Sequence, residues 1–202
     1  MQDISVALWW RLMVEKLFTN KIIVITGATK GIGLACAERL QKEGATICCI
    51  QRSHSNLFDS FEFDLLKEEG CSNSIKAIIK KYGRIDVLIN NAGMMKESSM
   101  QDTTLETWNQ TLALNLTAPF LLSKLAMPFL IKSKGCIVNI GSIEGLGANP
   151  NHAAYCASKA GLHGLTRATA IDHGKDGVRC NAVAPGWICL LYTSPSPRDV
   201  EE

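Results

Sequence analysis

Short unbroken apolar runs alternate along the chain with longer stretches whose apolar positions recur every three or four residues. Residues 21–25 (KIIVI) are mostly β-branched and continuous, as a strand buried on both faces must be. A glycine-rich turn follows, then a helical pattern over 32–43 with Ile32, Ala35, Cys36 and Leu40 on one side. Residues 46–50 read as a second strand, and Glu62 and Phe63 as the end of a short third. A helix is predicted over 74–82 and a fourth strand over 86–89 (DVLI). The long helical stretch 105–131 contains Pro119 and Pro128, which lack an N–H and are expected to bend or interrupt it. A fifth strand over 136–140, a helix over 152–173 and a sixth strand over 178–183 complete the pattern. Regular alternation of strand and helix predicts an α/β fold, a doubly wound parallel sheet of Rossmann type in the order 3-2-1-4-5-6.

Composition narrows the class. A chain of 202 residues suits one domain, and a domain of that size buries roughly 70% of its unfolded surface. With 47% hydrophobic and 20% charged residues it is a globular composition, not a disordered one. A formal charge of +2 without a basic run argues against a nucleic-acid binder. The eight cysteines form no C-x-x-C pair and no zinc spacing, so no metal is expected. Several sit inside apolar runs, such as Cys48 and Cys49, and read as buried thiols of a cytoplasmic protein. The apolar run near the N-terminus is too short to span a bilayer, so no membrane partner is expected.

Two segments carry chemistry. The first turn reads Thr26-Gly27-Ala28-Thr29-Lys30-Gly31-Ile32-Gly33, after a strand and opening a helix. Glycines there let the backbone turn sharply and approach a pyrophosphate, whose charge suits the N–H groups of a helix start. At the end of the second strand, where an NAD site carries an acidic residue, stand Gln51 and Arg52. Arg52 is able to pair with a 2′-phosphate and Lys30 adds a second cation, so NADP(H) is favoured and NAD(H) stays possible. Both cations are also compatible with an ordinary solvated surface. At the other end, Tyr155 and Lys159 lie four apart on one helix face. A neighbouring ammonium stabilises a phenolate and brings its pKa towards neutrality, although a lone Y-x-x-x-K is equally an ordinary surface pair. Ser142 follows the fifth strand, Asn90-Asn91-Ala92-Gly93 follows the fourth, and Asn115 interrupts a helix that it suits poorly.

TGATKGIG, NNAG, Asn115, Ser142, YCASK and Pro185-Gly186 occur in the order and spacing of a known family. The chain resembles a short-chain dehydrogenase/reductase of the non-extended type over about residues 21–188. The resemblance implies hydride transfer between NAD(P)(H) and a small carbonyl or alcohol substrate. Tyr155 would be the general acid/base, Lys159 would lower its pKa and hold ribose hydroxyls, and Ser142 would orient the substrate oxygen. Asn115 would anchor a proton-relay water. Cofactor contacts would come from Gly27, Thr29, Lys30, Gly31, Ile32, Gly33, Arg52, Asp64, Leu65, Asn91, Ala92, Gly93, Tyr155, Lys159, Pro185, Gly186 and Ile188. Asp64 would touch the adenine. The helices of Asn115 and Tyr155 would form a subunit interface, so a homo-oligomer is expected. Trp108, Leu112, Leu116, Phe120 and Leu125 read as a core or interface stripe, and His152 and His163 as structural. The rival reading is a non-catalytic nicotinamide-nucleotide-binding module, or an inactive fragment of the enzyme.

The two ends read differently. Residues 1–20 form an N-terminal extension, in which Met13 looks like a natural start and 1–12 either lies upstream of it or forms a short helix exposing Trp9 and Trp10. The domain is expected over 21–188. Residues 189–199 (CLLYTSPSPRD) resemble a translated sequencing adapter, so 189–202 read as a non-native tail, with the final strand and the substrate lid missing. The family's nicotinamide-contacting Thr, four residues beyond Gly186, is replaced by Leu190.

Overall fold

The computed structural model describes residues 16–188. The first fifteen positions of the expected N-terminal extension and the expected tail over 189–202 lie outside them. The elements run β1 (Ile22–Thr26), α1 (Gly31–Lys42), β2 (Thr46–Gln51), β3 (Asp59–Glu62), α2 (Glu68–Tyr82), β4 (Val87–Asn90) and α3 (Leu105–Leu112). A π-helical turn (Ala113–Thr117), α4 (Ala118–Ser133), β5 (Cys136–Ile140), α5 (Ala153–His173) and β6 (Arg179–Val183) follow, with short 3-10 turns at Ile143–Gly145 and Gly174–Asp176. All strand pairs are parallel and the sheet order is 3-2-1-4-5-6, as the alternation predicts.

Successive residues of a strand face opposite sides, and both sides here are covered. Ile22 and Val24 of β1 join Cys48 and Ile50 of β2 in the core beneath α2 and α4. Ile23, Ile25, Ile47 and Cys49 enter the second core, with Ala37 of α1. Each fully buried Ile or Val contributes about 1.5–3 kcal/mol, which is why the central strands are apolar without a break. The same alternation sends Cys48 and Cys49 to opposite faces, and all seven cysteines of the described residues are free thiols.

Some expectations shift. α2 starts six residues earlier than the pattern at Ser74 suggests, because Glu68 and Glu69 occupy its first turn and Lys80 and Lys81 its last, favourable at each end of the dipole. Ala35, expected on the apolar side of α1, is exposed, and Gly33 and Ala37 take the buried positions. Pro128 sits inside α4 without ending it, and the departure from α-helix falls just before Pro119. The combined run Leu105–Ser133 contains an 18-residue stretch with a mean hydropathy of 1.5, long and apolar enough to cross a membrane by length and composition. In the fold its second half packs on α2, β4 and β5. Of the expected stripe, Phe120 is exposed, whereas Leu116 packs where a side chain on Gly161 would stand.

Candidate active site

Every strand of a parallel sheet ends on the same edge, and here that edge collects the candidate residues. Gly27 and Gly31 have φ of 69° and 59°, conformations that glycine adopts without a steric cost. A Cβ on Gly33 would lie 2.3 Å from the Gly27 carbonyl oxygen and 2.4 Å from Asn91 Nδ2, so α1 reaches the loop this closely only with glycine there. Asn91 clamps the turn by donating from Nδ2 to the carbonyls of Thr26 and Gly27, both at 2.9 Å. Thr26 Oγ1 in turn accepts the N–H of Asn91 at 3.0 Å and of Ala92 at 2.8 Å. The turn motif includes Thr26 without a role of its own; the signal for one is a hydroxyl closing an otherwise apolar strand.

This cradle fits an anion. α1 begins after Lys30, whose side chain makes no capping bond, and no acidic residue occupies its first turn. Its leading N–H groups and the positive end of its dipole are left for a ligand such as a pyrophosphate. Thr29 and Lys30 are exposed beside it and Ile32 partly so. Across the edge, Arg52 is exposed, while Gln51 is buried with Nε2 donating to Ser60 Oγ at 2.9 Å. Gln51 Oε1 is buried without a hydrogen-bond partner, a cost that a ligand hydroxyl or a water would relieve. Asp64 accepts the Leu66 N–H at 3.1 Å after β3. The Leu65 side chain lies in the core under α2. Pro185, Gly186 and Ile188 follow β6, and the Pro185 carbonyl accepts the N–H of Ile143 at 3.1 Å.

Tyr155, Lys159, Ser142 and Asn115 converge between β4, β5 and α5. Lys159 is 4% exposed; Nζ donates to the Ile140 carbonyl at 2.7 Å and lies 5.6 Å from the centre of the Tyr155 ring. Gly93 leaves room here, since a Cβ on it would stand 3.2 Å from Asn115 Oδ1 and 3.6 Å from Lys159 Nζ. Asn115, in the π turn, accepts the Met94 N–H at 2.8 Å and donates to the Met94 carbonyl at 2.8 Å and to Ser158 Oγ at 3.0 Å. Both amide hydrogens are thus spent on joining the loop after β4 to α5. Ser142 Oγ accepts the Glu144 N–H at 3.1 Å, which leaves its own hydrogen to be donated elsewhere.

Electrostatics follow from burial. Desolvation pulls the Lys159 ammonium down to about 8. Burial pushes the Tyr155 phenol up; its hydrogen bond with Ser142 pulls the other way, and the charges of Glu144 and Cys156 push up further. The expected lowering by Lys159 is not among these influences, because its Nζ is turned to the Ile140 carbonyl and faces the ring.

A buried polar group beside Tyr155 escaped the sequence reading. Glu144 accepts from Asn149 Nδ2 at 2.9 Å, and its other carboxylate oxygen lies 2.7 Å from His152 Nδ1. Burial pushes the Glu144 carboxyl up, but Asn149 and His152 outweigh it and hold it below its usual range. His152 also meets the Tyr155 ring edge-on at 6.4 Å. The legible signal was a carboxylate two residues after Ser142 within an apolar stretch. Among the described residues no group of three or more His, Cys, Asp or Glu side chains is placed to hold a metal.

The fold and this edge define a nucleotide-binding oxidoreductase domain, and comparison with known proteins agrees. The family model for short chain dehydrogenases matches residues 21–194, and the chain belongs to that family. It is 36% identical over 196 residues to meso-2,3-butanediol dehydrogenase of Serratia marcescens, covering 92% of this chain and 78% of that one. It superposes on 4-hydroxyisoleucine dehydrogenase complexed with NADH with a TM-score of 0.80 at 35% identity, covering 85% and 78% of the two chains. A protein of Beutenbergia cavernae solved with bound NADP gives a TM-score of 0.80 at 31% identity, covering 86% and 74%. The chain is therefore an NAD(P)-dependent oxidoreductase of the hydride-transfer type.

Proposed function

We propose that this oxidoreductase interconverts a small carbonyl compound and its alcohol, with NADP(H) preferred over NAD(H). The observation that carries the reading is the convergence of Tyr155, Lys159 and Ser142 at the carboxyl end of β5. Ser142 Oγ accepts the Glu144 N–H and shares a hydrogen bond with Tyr155, and a bound substrate oxygen would take the place of the phenol as acceptor of its hydrogen. Tyr155, kept protonated by burial, is in the form that gives a proton to that oxygen during reduction. Lys159 lies beside Gly93, which suits it to hold ribose hydroxyls, and turning its ammonium from the Ile140 carbonyl would let it offset the phenolate that forms. Pro119 has no N–H to offer the Asn115 carbonyl four residues back, which supports the role of Asn115 in anchoring a relay water.

The nicotinamide nucleotide, when bound, supplies or accepts the hydride. The residues that would hold it are the turn Gly27, Thr29, Lys30, Gly31, Ile32 and Gly33, then Asn91, Ala92 and Gly93, with Asp64 and the Leu65 backbone at the adenine end. Pro185, Gly186 and Ile188 would close the nicotinamide end. The preference for NADP(H) rests on the exposed Arg52 and Lys30, with the neutral Gln51 at the strand end. Relatives bind either nucleotide, since NADH and NADP each appear in a solved structure. The free thiols Cys48, Cys49, Cys71 and Cys180, buried in the fold, support a reducing, cytoplasmic setting.

The test is Tyr155→Phe in the full chain, with nucleotide binding followed by fluorescence and turnover on a panel of ketones and secondary alcohols. Turnover is expected to fall at least ~10³-fold while NADPH still binds, and binds more tightly than NADH. Retained turnover would sink the role of Tyr155; tighter NADH binding would reverse the nucleotide preference.

A further inference from the structure

Tyr155, Lys159 and His163 follow one another at single-turn intervals along α5, so the helix sends a third side chain towards the end of β5. His163 is 7% exposed, and its Nε2 lies 3.4 Å from the backbone nitrogen of Ser142, as acceptor of that N–H. Only glycine at 141 permits this approach, because a Cβ there would stand 2.1 Å from Nε2. The neighbouring backbone is otherwise tied down: the Gly141 N–H goes to the Val183 carbonyl at 2.7 Å, and the Ile140 carbonyl takes Lys159 Nζ at 2.7 Å. The Ser142 N–H is the backbone donor in this segment that depends on a titratable side chain.

Accepting an N–H requires a free lone pair on Nε2, hence a neutral ring carrying its proton on Nδ1. The surroundings favour that form. Burial lowers the imidazole below its ordinary value, and the cations Arg167 and Lys159 on the same helix lower it further. From β5 the ring meets the Gly141–Ser142 peptide, and no carboxylate is among the groups acting on it.

We propose that His163 is a positioning residue for Ser142: its neutral imidazole ties the serine backbone to the helix bearing Tyr155 and Lys159, and protonation releases it. A protonated ring would set an N–H against the Ser142 N–H and leave that donor buried without a partner. The Ser142 hydroxyl would then drift from the oxygen it orients, and displacements near 1 Å cost about 10²-fold in rate. The inference rests on the role given to Ser142 above, and its consequence is an acidic limb in the rate profile below pH 6.5.

The experiment compares wild type, His163→Gln and His163→Leu as full chains. Glutamine offers an acceptor that does not titrate, so kcat at pH 8 is expected to stay within about threefold while the acidic limb flattens. Leucine offers none, and kcat is expected to fall about tenfold or more at every pH with the KM for NADPH unchanged. A readout independent of turnover is the ¹H–¹⁵N resonance of Ser142. In the wild type it should titrate with the same midpoint as the His163 ring; in His163→Gln it should be flat, and in His152→Gln it should titrate as before. Different midpoints in the wild type overturn the inference even if no variant folds, as does a Ser142 amide that still titrates in His163→Gln. A leucine variant with wild-type kcat and pH profile overturns it too. If Tyr155→Phe still turns over, the reading of the function falls instead, and the amide titration decides this inference alone.

Discussion

Lys159 keeps an ammonium where burial works against it, with its pKa brought from 10.5 to about 8. Between those values the unfolded chain holds a proton that the folded chain has shed, so this group makes stability rise with pH over that window. Below about 8 both states are protonated and the full penalty stands, roughly 3 kcal/mol by the size of the shift. Lys159→Met keeps the aliphatic stem but loses the bond to the Ile140 carbonyl, worth about 1 kcal/mol. The variant is therefore expected to be catalytically dead yet more stable than wild type at pH 7. That advantage should shrink as pH rises from 8 to 10.5, measured as denaturation midpoints across pH. An advantage independent of pH would show that burial does not depress this lysine. Single residues were unevenly legible in the sequence. Tyr155, Lys159 and Ser142 stood out through spacing, whereas Thr26, Glu144 and the contact of His163 with Ser142 involve partners from separate elements, which no local pattern reports.

At the scale of elements, the nucleotide cradle depends on α1 lying against the loop that precedes it. Gly33→Ala places a methyl 2.3 Å from the Gly27 oxygen and must push the helix away. A loss of about 1–3 kcal/mol in stability and at least a tenfold loss in NADPH affinity are expected, read by thermal melting and fluorescence titration. Gly164→Ala in α5 is the contrast. Its Cβ would come no nearer than 3.9 Å to Arg167, so that variant should gain about 0.5–1 kcal/mol and bind nucleotide normally. Equal behaviour of the two variants would mean that close packing of α1 does not build the site. The helix carrying Asn115 teaches the same lesson about context. Two prolines announced an irregularity, but α4 runs on through the exposed Pro128, and the widened turn falls where Asn115 bonds across to Met94 and Ser158.

For the whole molecule, α4 and α5 leave an outward groove of about 390 Å³ lined by Phe120, Met127, Ile131 and Leu165, with Lys124 and Asp172 among its polar residues. Phe120, exposed at this face, is the apolar side chain that a second copy would cover. The homo-oligomer that the family resemblance implies is expected to use this face. Phe120→Asp should convert it to a monomer in light scattering coupled to gel filtration, with the melting temperature of the monomer little changed. An unchanged mass would place the interface elsewhere, and a monomeric wild type would remove it.

Local chemistry by itself determined the strands, the two-sided burial of the central ones and the glycine turn, because period, branching and glycine placement act over a few residues, and the sheet order followed from the crossover rules for alternating strand and helix. It also marked the tyrosine, lysine and serine of the site, which lie close in sequence or at strand ends. Tertiary structure decided what these groups experience. Lys159 loses its water only when α5 closes on β5, and Leu65 becomes a core residue only beneath α2. His163 acquires a function only because Gly141, twenty-two residues before it, leaves the space for an imidazole.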